Sequence, residues 1–114
     1  MKGMFEVSSV DKFSAMQITK TQIGEKIAFT LSGRVNAESS PEFQDKLIPA
    51  FNEAKEIIID LKEIAYISSA VLRVLLMGQK TAKIKGSSMT ITGASKEIMR
   101  VFEMTGLLDI LTIV

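Results

Sequence analysis

Two adjacent hydroxyls, Ser68 and Ser69, stand between the apolar run Ile57-Ile58-Ile59-Asp60-Leu61 and the amphipathic stretch Ala70-Val71-Leu72-Arg73-Val74-Leu75-Leu76. The order predicts a buried strand, a short loop, and then a helix that opens on a serine. Backbone N–H groups at a helix N-terminus, together with the helix dipole, favour negative charge. A phosphate attached to a serine there meets a site already suited to it. The segment therefore reads as a phosphorylation-controlled binding module. Serine ahead of a periodic apolar run is also the ordinary helix N-cap, so capping stands beside modification for both residues.

Other chemistries find little material in this chain. It has no Cys, His or Trp. Disulfides, thiolate chemistry and the usual zinc sites are excluded from expectation, and so is the commonest general base, with any Ser-His-Asp triad. Asp60 has no partner that would make it a catalytic acid. No Gly-rich phosphate loop of the Walker type and no ordered carboxylate pair for Mg²⁺ is visible, which leaves a nucleotide-binding reading weak. The chain is expected to be no enzyme and to need no cofactor or metal.

Fourteen basic against 13 acidic residues give a net charge of +1, which is not the footprint of a nucleic-acid binder. No block of Lys and Arg marks a membrane-surface patch. Residues 1–13 include Lys2, Glu6, Asp11 and Lys12 and lack the apolar core of a signal peptide. No run reaches the roughly 18 to 20 apolar residues that span a bilayer. A cytoplasmic protein without membrane insertion is the expectation. With 114 residues and a hydrophobic fraction of 46%, it should form one folded domain.

The elements that must position the serines follow from patterning. Residues 1–14 read as an extra strand or packed arm carrying Phe5, Val7 and Val10. Residues 16–22 alternate partly and 26–32 clearly, with Ile27, Phe29 and Leu31 on one face, so they predict a hairpin around Gly24-Glu25. Ser39-Ser40-Pro41 signals a helix start, with serine as N-cap and proline at the first helical position. Phe43, Leu47, Ile48 and Phe51 supply its core face, and Pro49 predicts a kink or an end near Ile48. The β-branched run at 56–61 suits a central strand buried on both faces.

Ser69 to Ile84 reads as the next helix, stopped by Gly86. On it, Arg73, Gln79, Lys80 and Lys83 form a polar face, solvated or partner-facing, with Met77 beside it. Residues 88–92 are a strand. Ser95 caps a helix carrying Ile98, Val101, Phe102 and Met104, with Gly106 as its stop, and 110–114 is the last strand. The class is therefore α/β: a mixed, mostly parallel sheet of about five strands with helices packed on it, in the order β-β-α-β-α-β-α-β.

This order and three of its motifs resemble the STAS domain, the fold of bacterial anti-sigma factor antagonists, over residues 16–114. The family's apolar strand ending in Asp-Leu, followed by Asp-Ser-Ser/Thr-Gly-Leu at the second helix, is similar to Ile59-Asp60-Leu61 and Ser68-Ser69-Ala70-Val71-Leu72. Leu31-Ser32-Gly33-Arg34-Val35-Asn36 looks like its Leu-x-Gly-x-Leu/Ile-Asp segment, and Met104-Thr105-Gly106-Leu107-Leu108 like its Leu-x-x-Thr-Gly-Leu stretch. Here Ser68 and Asn36 stand where the family has acidic residues, and Val71 where it has glycine. The family usually has a further helix after the last strand; this sequence stops at Val114, so that helix is expected to be either absent or removed from it.

The resemblance implies partner switching. The unmodified domain binds a serine-kinase anti-sigma factor and frees the sigma factor, phosphorylation ends the binding, and a serine phosphatase restores it. The implied acceptor is Ser69, with Ser68 as the fallback. The implied partner surface comprises Asn36, Ser68, Ser69, Ala70, Val71, Arg73 and Met77, on a monomer or weak dimer. A phosphorylation-independent STAS scaffold subunit of a signalling or transporter complex is the alternative.

Overall fold

The computed structural model describes residues 16–33 and 39–114. They form strands β1 (Met16–Ile23) and β2 (Lys26–Gly33), helix α1 (Ser40–Ala50), strand β3 (Glu56–Glu63), helix α2 (Ser69–Lys85) and strand β4 (Ser88–Thr92). Helix α3 (Lys96–Thr105), a 3-10 turn (Leu107–Asp109) and strand β5 (Thr112–Ile113) follow. The element order is the expected one. The extra strand or arm expected within residues 1–14, and Asn36, lie outside the described residues.

The sheet runs β1-β2-β3-β4-β5, so spatial order equals chain order. β1 pairs antiparallel with β2, from Met16 opposite Gly33 to Ile23 opposite Lys26, and all later pairings are parallel. Each right-handed crossover then steps the same way and lays its helix on the same face. Strand order never reverses, so the crevice in which doubly wound sheets bind nucleotides does not form.

That one-sidedness corrects the expectation for β3. Register rows Ile27–Ile57–Met89 and Phe29–Ile59–Ile91 cross the helix-bearing face, and all six residues are at most 1% exposed. Phe43, Leu47, Val71, Leu75 and Phe102 pack on them from the helices. The opposite face carries Ala28, Thr30, Ile58, Asp60 and Thr90, all only half-buried. Among the described residues the strand is buried on one face, not two, because no crossover passes over the other.

Four details of the elements differ from the sequence-based reading. Helix α1 begins at Ser40, so Pro41 is its second residue, and the Ser39 side chain makes no cap bond. Ser39 has helical backbone angles where a capping side chain needs an extended one. Proline at the second position also has no N–H to donate. The helix then ends at Ala50, near Ile48 as expected, with Pro49 in a last turn already tightening. Phe51, Asn52 and Glu53 there donate to the carbonyls of Ile48, Pro49 and Ala50.

Met104 is 77% exposed, since the core stripe of α3 runs through Ile98 and Phe102 and turns Met104 away from it. Strand β5 keeps only two residues, because Ile110 and Leu111 both donate to the carbonyl of Leu107 and prolong the turn.

Candidate functional site

The serine pair sits at the edge of the sheet where β2, β3 and β4 end. Asp60, near the end of β3, accepts the Lys62 N–H on Oδ1 at 3.0 Å, and its Oδ2 lies 3.6 Å from Lys62 Nζ. Its carboxylate thus braces the last residues of the strand. Ile64 and Ile67 are buried and pin the connection to the core at two points. Between them Tyr66 is pushed outward, 64% exposed. Nothing in the sequence reading assigned Tyr66 a role, although the three-residue spacing of the two isoleucines was the available signal.

Helix α2 starts in a way that separates the two hydroxyls. Ser68 is the N-cap: its backbone is extended and its Oγ accepts the Val71 N–H at 3.3 Å. Its carbonyl takes the Leu72 N–H at 3.0 Å. Ser69 is the first helical residue, and it is exposed. Its hydroxyl has no hydrogen bond among the described residues, and neither of the first two helical N–H groups, those of Ser69 and Ala70, finds an acceptor there. Free N–H groups and the positive end of the dipole meet around an uncommitted hydroxyl.

Two stability measurements separate these roles. Ser68→Ala is expected to cost about 1 kcal/mol through the lost cap. Ser69→Ala is expected to stay within about 0.5 kcal/mol of the parent. Denaturant titration of both variants reads the difference directly.

The remaining site residues divide by helical face. Arg73 is exposed one turn beyond Ser69, Met77 follows half-buried, and Ala70 is half-buried beside them. Val71 belongs elsewhere. It is 0% exposed and points into the core, so it does not line a docking surface. Gln79 likewise leaves the expected polar face: its Oε1 is buried without a hydrogen-bond partner among the described residues. Lys80 and Lys83 stay outside with Arg73.

The helix is held close to its neighbours by Gly78, where an added Cβ would lie 2.8 Å from both Leu47 Cδ2 and Met89 Sδ. Among the described residues no group of three His, Cys, Asp or Glu side chains is arranged to hold a metal. No described helix is long and apolar enough to cross a membrane.

Comparison with known proteins places this geometry. A family model described as "Mlab, STAS domain" matches residues 18–112. The anti-sigma-B factor antagonist of Bacillus subtilis is 31% identical over 87 residues, covering 76% of this chain and 80% of that protein. Among solved structures, an anti-sigma factor antagonist from Mycobacterium paratuberculosis superposes with a TM-score of 0.76 at 15% identity, covering 87% of this chain and 85% of that one. The Bacillus cell fate determinant SpoIIAA in its phosphorylated form superposes with a TM-score of 0.69 at 16% identity, covering 88% and 91%. The structures share the fold.

Proposed function

Since the chain belongs to the STAS domain family, we propose that it is an anti-sigma factor antagonist that works by partner switching. In this reading the unphosphorylated domain binds a serine-kinase anti-sigma factor, which releases the sigma factor. Phosphorylation of Ser69 ends the binding and a serine phosphatase restores it. The domain is a binding module and performs no catalysis of its own. The relatives named as anti-sigma-B factor antagonists support the role, and the fold shared with a protein solved in a phosphorylated form supports the switch.

One observation carries the choice of Ser69. Ser68 is committed to capping α2, whereas the Ser69 hydroxyl is exposed and unbonded at the first helical position. A phosphoserine adds about −1.5 to −2 charge and three strong acceptor oxygens. On Ser69 those oxygens would lie beside the two free N–H groups, so the modification need not disturb the fold. The contact surface comprises Ser68, Ser69, Ala70, Arg73 and Met77, and Asn36 joins it on sequence grounds. Val71 acts beneath it, as packing.

The test is phosphopeptide mapping of the protein recovered from cells. Phosphate on Ser69, and none on Ser68, is expected; phosphate on Ser68 alone would move the acceptor. The second reading, a phosphorylation-independent STAS subunit of a signalling or transporter assembly, draws on Ser68 standing where the family has an acidic residue. Unmodified protein, with partner binding unchanged in both Ser69→Ala and Ser69→Asp, would establish that second reading instead.

A further inference from the structure

Helix α2 differs electrically from the other two helices. Glu42 occupies the first turn of α1 and Glu97 that of α3, where acidic residues complement the dipole, but α2 has none there. Arg73 instead sits at its fifth position, near the positive end, where a cation opposes the dipole. Arg73, Lys80, Lys83 and Lys85 are the charged residues of α2, all of one sign, while acidic residues outnumber basic ones in the rest of the chain.

Helix stability accounts for only part of this. Lys83 and Lys85 lie in the last turn, where the dipole welcomes them, and Lys85 Nζ also donates to Asn52 Oδ1 at 2.6 Å. Arg73, Lys80 and Lys83 have no ion pair among the described residues. Lys80 and Lys83, three apart, repel each other. Met77 lies half-buried on the same strip, and Ile84 extends it, 84% exposed. Ser69 stands at its upper end.

We infer that the outer face of α2, Arg73, Lys80 and Lys83 around Met77 and Ile84, docks an acidic surface of the partner protein. The inference rests on the partner-switching reading and adds the partner's chemistry to it. A cationic strip with a small apolar anchor suits a protein surface better than a bilayer. The large apolar residues Val71, Leu72, Val74 and Leu75 are committed to the core, which leaves too little apolar area outside to enter lipid. A phosphate on Ser69, one turn from Arg73, places negative charge at the end of the strip that the acidic partner needs.

The test titrates the full chain, carrying Ser69→Ala so that phosphorylation cannot intervene, with the serine-kinase anti-sigma factor. Affinity is expected to fall at least about tenfold between about 50 and about 300 mM salt. The charge reversal Arg73→Glu with Lys80→Glu and Lys83→Glu is expected to lose at least about 100-fold, and Lys46→Glu, at an exposed position of α1, to stay within about twofold. Should the triple variant fail to fold, Lys80→Glu alone is expected to lose about fivefold. Salt-independent binding, or unchanged binding by the reversed face, overturns the inference. The parent reading fails separately, if Ser69→Asp leaves the kinase bound.

If no kinase binds, amide shifts on adding a short polyglutamate peptide decide. Shifts centred on Arg73, Lys80 and Lys83 are expected, and scattered or absent shifts overturn the inference. Sedimentation of the parent, but not the triple variant, with vesicles of about one-third anionic lipid would assign the face to a membrane and overturn it too.

Discussion

A Ser69→Asp variant is expected to bind the serine-kinase anti-sigma factor at least about 100-fold more weakly than the parent, a loss of about 2.7 kcal/mol, while unfolding at a temperature equal to or slightly above the parent's. Both halves follow from where Ser69 sits. It is the first residue of α2, exposed, with a hydroxyl that makes no hydrogen bond among the described residues. Replacing that hydroxyl breaks nothing in the fold. A carboxylate at the first helical position also gains roughly 0.3–1 kcal/mol from the dipole.

The cost appears only in the complex. There the new charge must be desolvated against a surface shaped for a neutral serine, and misplaced charge at an interface costs several kcal/mol. Isothermal titration together with thermal unfolding checks both halves. A loss of binding accompanied by a lower unfolding temperature would indicate damage to the fold rather than a switch.

Gly93→Ala is expected to destabilise the domain by about 3 kcal/mol, from two separate sources. Gly93 follows β4 with φ +73, a conformation that costs an L-residue roughly 1–2 kcal/mol. An added Cβ would also lie 2.8 Å from Asp60 Oδ1, 2.9 Å from Lys62 Cβ and 2.9 Å from the Lys62 backbone nitrogen. Asp60 Oδ1 and Lys62 N are already bonded to each other, so neither can step aside without breaking the bond that shapes the end of β3. Overpacking of this kind costs roughly 1–3 kcal/mol. Urea unfolding measures the total. Gly24→Ala is the comparison: it shares the positive φ but meets no atom within 4 Å, so it should show only the conformational part.

Much of this architecture is written locally. The alternation of Ile27, Phe29 and Leu31 marks the inner face of β2, and Ser68 and Ser95 cap their helices through Val71 and Ile98. Gly86 and Gly106 stop them. What local patterning misses depends on distant partners. The run Ile57-Ile58-Ile59 is equally apolar on both sides, and only the uniform direction of the crossovers decides that Ile58 faces the uncovered side. The closeness of Gly93 to Asp60 and Lys62 comes from strand pairing.

At the site, helical register was the limit. Ser68 and Ser69 both read as N-caps, and a shift of one residue decides which hydroxyl is committed and which is open. The same register carries Val71 inward, out of the surface inferred for it.

The most direct measurement compares two forms of one protein. The parent chain is phosphorylated to completion, and half of it is then treated with a serine phosphatase. Both halves are titrated with the serine-kinase anti-sigma factor. The phosphorylated half should show no binding at concentrations where the dephosphorylated half saturates, and Ser69→Ala should bind throughout. Equal affinity of the two halves, with phosphate mapped to Ser69, would contradict partner switching.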